Sequence, residues 1–158
     1  MTGVASQIRH LYGVIVFLED SESQIQAKSI MKQIVSTPHA PAAIGPYSQA
    51  VIYDGLVYCS GQIPLDPKTM TFVSESIQEQ AEQVMKNLDA VLTASGSGFQ
   101  HVLKCSIFLA SMDDFAAVNE VYGRYFPENP PARETVAVKT LPKQALVEIS
   151  CIAIVAPK

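Results

Sequence analysis

The strongest periodicity in the chain is helical. Ile77, Ala81, Val84, Met85, Leu88, Val91 and Leu92 recur at three- and four-residue spacing, which predicts a helix with one apolar face. Ser76 with Glu79 three residues on is a capping-box start, and Ser95-Gly96-Ser97-Gly98 is its stop. A second helix is predicted from Ser111, with Asp114 in the box position and Phe115, Val118, Val121, Tyr122 and Tyr125 on one face. It halts at Phe126-Pro127-Glu128-Asn129-Pro130-Pro131. Elsewhere the pattern is strand-like. Val51-Ile52-Tyr53 and Leu56-Val57-Tyr58-Cys59 flank Asp54-Gly55, a strong hairpin signal. Val102 to Ala110, Val136 to Lys139 and Leu146 to Ala156 complete the predicted strands, while Pro38, Pro41, Gly45 and Pro46 make an irregular lead-in.

The order is thus hairpin, helix, strand, helix, strand, strand. Two helices with one apolar face each need a sheet face to cover, so the fold class is α+β, with both helices on one side of a mixed sheet of five or six strands. The other sheet face is too apolar to be fully wetted, which predicts self-association. Residues 1–30 read differently. Leu11 to Leu18 is apolar with the length of a signal core, but Glu19, Asp20 and Glu22 follow where a small-residue cleavage site would stand. The same acids, against only Arg9 and Lys28, depart from a mitochondrial presequence. Met31 is a candidate alternative start, so we expect an N-terminal extension at 1–30 and one domain at 31–158.

Composition narrows the functions. The 158 residues are 48% hydrophobic, enough for one real core. Net charge is −4, and residues 31–158 carry nine Lys/Arg against twelve Asp/Glu with no basic run, which argues against a nucleic-acid binder. No apolar run approaches the ~20 residues of a membrane span. Cys59, Cys105 and Cys151 lie far apart, each in apolar strand-like sequence, and read as buried thiols rather than a zinc site or disulfide framework. The default compartment is the cytoplasm, with the mitochondrial matrix as the alternative.

Two charges sit where charge is awkward. Glu148 lies inside Ala145 to Val155, the most apolar run of the chain, and a carboxylate there must be paired, hydrogen-bonded or doing chemistry. Arg133 follows Pro130-Pro131-Ala132 and offers a planar fork suited to a substrate carboxylate. One reading is a small-molecule site with Arg133 as anchor and Glu148 as acid/base. The other is an Arg–Glu pair tying two strands together.

Five ordered motifs carry a resemblance. Ala42-Ala43-Ile44-Gly45-Pro46-Tyr47-Ser48-Gln49-Ala50, Ser60-Gly61-Gln62-Ile63-Pro64 and Phe115-Ala116-Ala117-Val118-Asn119 are followed by Pro131-Ala132-Arg133 and by Leu141-Pro142-Lys143 with Val147-Glu148-Ile149. Together they resemble the RidA/YjgF family, the reactive-intermediate deaminases, over residues 31–158. The resemblance implies a chorismate-mutase-like fold assembled as a homotrimeric barrel with sites between subunits. It also implies hydrolysis of enamine/imine acids, such as 2-aminoacrylate/2-iminopropanoate and 2-iminobutanoate, to 2-oxo acids and ammonia, without metal or cofactor. In that reading Arg133 and Glu148 are catalytic, while Tyr47, Ser60, Gly61, Asn119 and Arg133 bind substrate. Plainer roles stay open: a core tyrosine, a strand-end turn at Gly61, a helix-to-loop bond from Asn119. Two positions depart from the family pattern, Thr135 where many members have Cys and Ser150 where many have a second Glu. Alternation along the strand puts Glu148 and Ser150 on one face and Ile149 and Cys151 on the other. Two other functions compete, because relatives have been described as endoribonucleases and translation inhibitors, and a non-catalytic binding or holdase-like trimer would use the same fold.

Overall fold

The computed structural model describes residues 31–156, so the expectations for residues 1–30 fall outside it. Six strands form one sheet: β1 Gln33–Val35, β2 Ala50–Tyr53, β3 Leu56–Gln62, β4 Val102–Leu109, β5 Ala132–Ala137 and β6 Val147–Ile154, in the order β1-β2-β3-β6-β4-β5. Helix α1 (Ile77–Ala94) links β3 to β4, and α2 (Phe115–Tyr125) links β4 to β5. β4 and β5 pair parallel; every other pairing is antiparallel. Since β3 and β4 both run against β6, they too are parallel, and each crossover contains a helix. Both crossovers step across the sheet in the same direction, so the right-handed rule puts both helices on one face. That is the packing the apolar faces predict.

Local chemistry accounts for most of the boundaries. Asp54 (φ 47°) and Gly55 (φ 78°) are both left-handed, as a two-residue turn between right-twisted strands requires. Every apolar position predicted for α1 except the partly buried Ile77 is fully buried. The capping box, however, does not form. Ser76 is the N-cap but its hydroxyl donates to Gln78 Oε1 at 3.1 Å, and no side chain caps the first turn. The second helix also starts later than predicted. Ser111 accepts from the Asp113 amide at 3.1 Å, a 3-10 turn follows over Met112–Asp114, and α2 proper begins at Phe115. β5 lies earlier than the predicted Val136–Lys139. Its burial pattern is almost wholly exposed, so edge pairing to β4 rather than apolar content defines it. β1 was not predicted; three residues are too few for a period to show.

Directly paired residues share a sheet face. Cys59, Cys151 and Cys105 are consecutive members of one cross-strand row on β3, β6 and β4, buried under the helices as free thiols. The opposite face carries Tyr53, Tyr58, Val136 and Ile154, each 37–46% exposed. This is the apolar open face the sequence leads one to expect.

Candidate active site

Glu148 stands on the open face of β6, between Val147 and Ile149, which are buried under the helices. It sits in a cleft of about 310 Å³ with Ile44, Tyr47, Ser60, Gly61, Ile63 and Pro142. Larger hollows exist, but the one between α1 and Arg124 is lined by charges that already pair, Glu82 with Lys86 and Arg124. In the Glu148 cleft the walls are mostly apolar and no cation among the described residues stands against the carboxyl. Burial alone therefore pushes the Glu148 carboxyl above its ordinary value. A downward pull from Arg133, expected if the two were close, is absent.

Gly61 explains how the carboxyl fits. A Cβ at that position would come within 2.8 Å of Glu148 Cδ and 2.9 Å of Cγ, so the glutamate side chain fills the space a larger residue would take. Gly61 lies in β3 where the register with β6 shifts, and what approaches its bare backbone is the chain's own carboxylate. Ser60 donates its hydroxyl to the Ser48 carbonyl at 2.7 Å and its amide to the Gln49 carbonyl at 3.0 Å. Those bonds fasten the segment carrying Tyr47, whose own amide closes a tight turn onto the Gly45 carbonyl at 2.8 Å. Tyr47 is 46% exposed, so it walls the cleft and is not a core tyrosine.

Arg133 is held elsewhere. Its Nη1 donates to Asn119 Oδ1 at 2.7 Å, and the guanidinium stacks over Tyr122 (5.0 Å) and Phe115 (5.8 Å). Positions 115, 119 and 122 lie on one face of α2, so the helix fixes the fork by a hydrogen bond and two aromatic faces. Asn119 is exposed, and its side-chain oxygen accepts from Arg133. Arg133 pairs with Cys105, which places it on the helix-covered face, whereas Glu148 pairs with Phe108 and Val136 with Phe108 on the open face. The two charges are separated by three residues along the strands and two strands across, about 10 Å each way, and by the sheet itself. The Arg–Glu strand tie is therefore excluded within one chain.

Thr135, two residues beyond Arg133 on the same face, has a buried hydroxyl oxygen with no hydrogen-bond partner among the described residues. Sequence reading noted the position only for the missing cysteine. No set of three His, Cys, Asp or Glu side chains among the described residues is arranged to hold a metal ion. No helix among them is long and apolar enough to cross a membrane.

The family profile described as Endoribonuclease L-PSP matches residues 37–155. The chain belongs to the RidA/YjgF family. Reactive Intermediate Deaminase A, chloroplastic, of Arabidopsis thaliana is 48% identical over 147 residues, covering 89% of this chain and 79% of the relative. The 2-iminobutanoate/2-iminopropanoate deaminase of Homo sapiens is 45% identical over 129 residues, covering 82% and 94%. The crystal structure of RidA from an Antarctic Psychrobacter superposes with a TM-score of 0.75 at 43% identity, covering 77% of this chain and 98% of that one. Membership accounts for the spacing of the five motifs. The faces and distances above are what those motifs build in this chain.

Proposed function

We propose that the protein hydrolyses 2-imino acids and their enamine tautomers to 2-oxo acids and ammonia, in sites shared between copies of the chain. One observation carries the reading: the anchor and the acid/base are each built with the other's complement missing. Arg133 is braced by Asn119, Phe115 and Tyr122 but faces no carboxylate among the described residues, and Glu148 is desolvated in an apolar cleft with no cation. A substrate with a carboxylate beside an electrophilic C=N carbon fits the gap between two such halves. The opposite placement of the halves supports a site completed by a second copy, and the apolar open face favours a homotrimeric barrel of the chorismate-mutase-like kind. The deaminase names of the Arabidopsis and human relatives support the same chemistry.

Arg133 holds the carboxylate by a bidentate pair, and the unpartnered Thr135 hydroxyl lies on its side of the sheet to add a donor. The bound carboxylate fixes the imine carbon over Glu148 of the neighbouring copy. Glu148 takes a proton from water as its oxygen attacks C2 and passes that proton to the imine nitrogen, giving a 2-amino-2-hydroxy acid and restoring the carboxylate. Collapse of that adduct forms the 2-oxo group, breaks the C–N bond and releases ammonia, with the hydroxyl proton passing through Glu148. A carboxyl that burial holds above its ordinary value is a stronger base toward water, which suits both proton transfers. Tyr47, Ile44 and Ile63 shield the reacting centre, and the scheme uses only side chains and water.

The test is subunit complementation. Imine generated by a threonine dehydratase is trapped with semicarbazide, and removal of trapping reports hydrolysis. Arg133→Ala and Glu148→Gln are each expected to be inactive. Co-refolded in equal amounts they should regain about a quarter of wild-type activity, the share of shared sites keeping both intact halves. An inactive mixture beside an active wild type would place both groups in one chain. A wild type that leaves trapping unchanged would remove the deaminase reading and bring forward RNA cleavage or non-catalytic binding.

A further inference from the structure

Two polar residues on the buried side of α1 were invisible to its apolar pattern. Gln80 and Asn87 are each 1% exposed and stand two helical turns apart on the face that meets the sheet. Neither carboxamide is idle. Asn87 Nδ2 donates to the Ile63 carbonyl at 3.1 Å and the Leu65 carbonyl at 3.0 Å, and its Oδ1 accepts from Gln83 at 2.9 Å. Gln80 Oε1 accepts from the Leu146 amide at 3.0 Å, and its Nε2 donates to the Ser74 carbonyl at 2.9 Å.

The backbone groups they hold belong to the two walls of the Glu148 cleft. Ile63 lines the cleft two residues after Gly61, and Leu146 enters β6 two residues before Glu148. The Ile63 carbonyl also accepts from the Leu65 amide at 2.8 Å, whereas the Leu65 carbonyl is held by side chains, Asn87 and, at 3.5 Å, Gln83. Leu146 is also fixed from its other side, its carbonyl accepting from Ala110 at 2.9 Å. A single rigid helix thus grips both walls at two points, and the gap between them is the one in which Gly61 and the Glu148 side chain already touch.

We propose that Gln80 and Asn87 are positioning residues, a two-point clamp through which α1 sets the spacing between the Gly61–Ile63 wall and Glu148. The inference rests on the imine-hydrolase reading for its kinetic consequence, not for its geometry. It demands an asymmetry: at position 80 the acceptor for Leu146 matters, and at position 87 the donor for Ile63 and Leu65 matters.

The experiment compares Gln80→Glu, Gln80→Met, Asn87→Asp and Val91→Ala, the last a buried core position on the same helix that touches neither wall bond. Two readouts are taken: kcat and KM for imine hydrolysis, and the pH titration of the Glu148 carboxyl by 13C NMR. Gln80→Glu keeps the acceptor and should hold kcat near wild type. Gln80→Met and Asn87→Asp should lose about tenfold or more in kcat with little change in KM, as a displaced acid/base implies. In both, the Glu148 titration should move toward its ordinary value. Val91→Ala should lose stability but change neither readout. Wild-type kcat and Glu148 titration in both Gln80→Met and Asn87→Asp would overturn the clamp; if one fails to fold, the other decides. If neither folds, Gln80→Glu decides, since a tenfold loss there removes the acceptor argument. Should the wild type hydrolyse no imine, the titration still reads the clamp by itself.

Discussion

Replacing Gly61 by Ala separates placement of Glu148 from stability of the fold. The new Cβ would lie 2.8 Å from Glu148 Cδ and 2.9 Å from Cγ, whereas carbon contacts settle near 3.5–4.0 Å. Glu148 Oε1 lies nearer still, so the carboxyl must retreat by more than about 1 Å. Glu148 is half-buried at a cleft, so it can swing outward, and the overpacking cost should fall at or below the low end of the usual ~1–3 kcal/mol. Gly61 is not in the left-handed region, and Ala restricts the unfolded chain, which returns about 0.4–1 kcal/mol. Net stability should change by about 1 kcal/mol or less. Activity should not be spared, since a misplacement of about 1 Å in a reacting group costs on the order of a hundredfold. The expected result in the trapping assay is a kcat down about a hundredfold with KM nearly unchanged, because Arg133 still anchors the carboxylate. A cycle with Glu148→Gln completes the argument: once the carboxylate is gone, Gly61→Ala should cost nothing further. Wild-type kcat in Gly61→Ala, or a full additional loss on the Glu148→Gln background, would refute the claim that this glycine serves to seat the glutamate.

The remaining expectations concern stability. Gly55→Ala meets no neighbour within 4 Å but forces a side chain onto φ 78°. It should therefore cost about 1–2 kcal/mol in thermal or denaturant unfolding, with kcat intact. Glu148→Gln should abolish hydrolysis yet stabilise the protein near pH 7. Burial raises the folded-state pKa, so protonation favours the native state. That contribution is complete below the unfolded value of about 4.3 and lost as pH rises through the higher folded value. Melting curves should thus show the variant gaining on wild type from weakly acid to neutral pH and converging with it in acid. Parallel curves at all pH values would mean that the carboxyl is not raised.

The sequence was most informative where the physics is local. The α1 face, the Asp54-Gly55 turn and the alternation that sets Glu148 against Ile149 depend on residues within one or two turns of each other, and all stand as read. In place of the capping box, the Ser76 amide donates to Ser74 Oγ and its hydroxyl is turned to Gln78. β5 was misplaced because an edge strand reading Ala-Arg-Glu-Thr-Val-Ala has no apolar alternation to display, and its boundary is set by Lys104 to Leu109 on another strand. Gln80 and Asn87 have no place in the apolar pattern of α1, since only the loops they hold reveal why an amide is buried there.

By itself, then, the chain determined which elements form, which faces are apolar, and through five spaced motifs which family and which residues deserve attention. Only the tertiary structure decided how those residues stand to one another. Arg133 and Glu148 look like partners fifteen positions apart, but cross-strand register puts them on opposite faces of one sheet. Gly61 looks like room for a ligand, but the pairing of β3 with β6 fills that room with Glu148. Both outcomes turn on register between strands distant in sequence. A one-residue slip would reverse every face while leaving each local pattern unchanged.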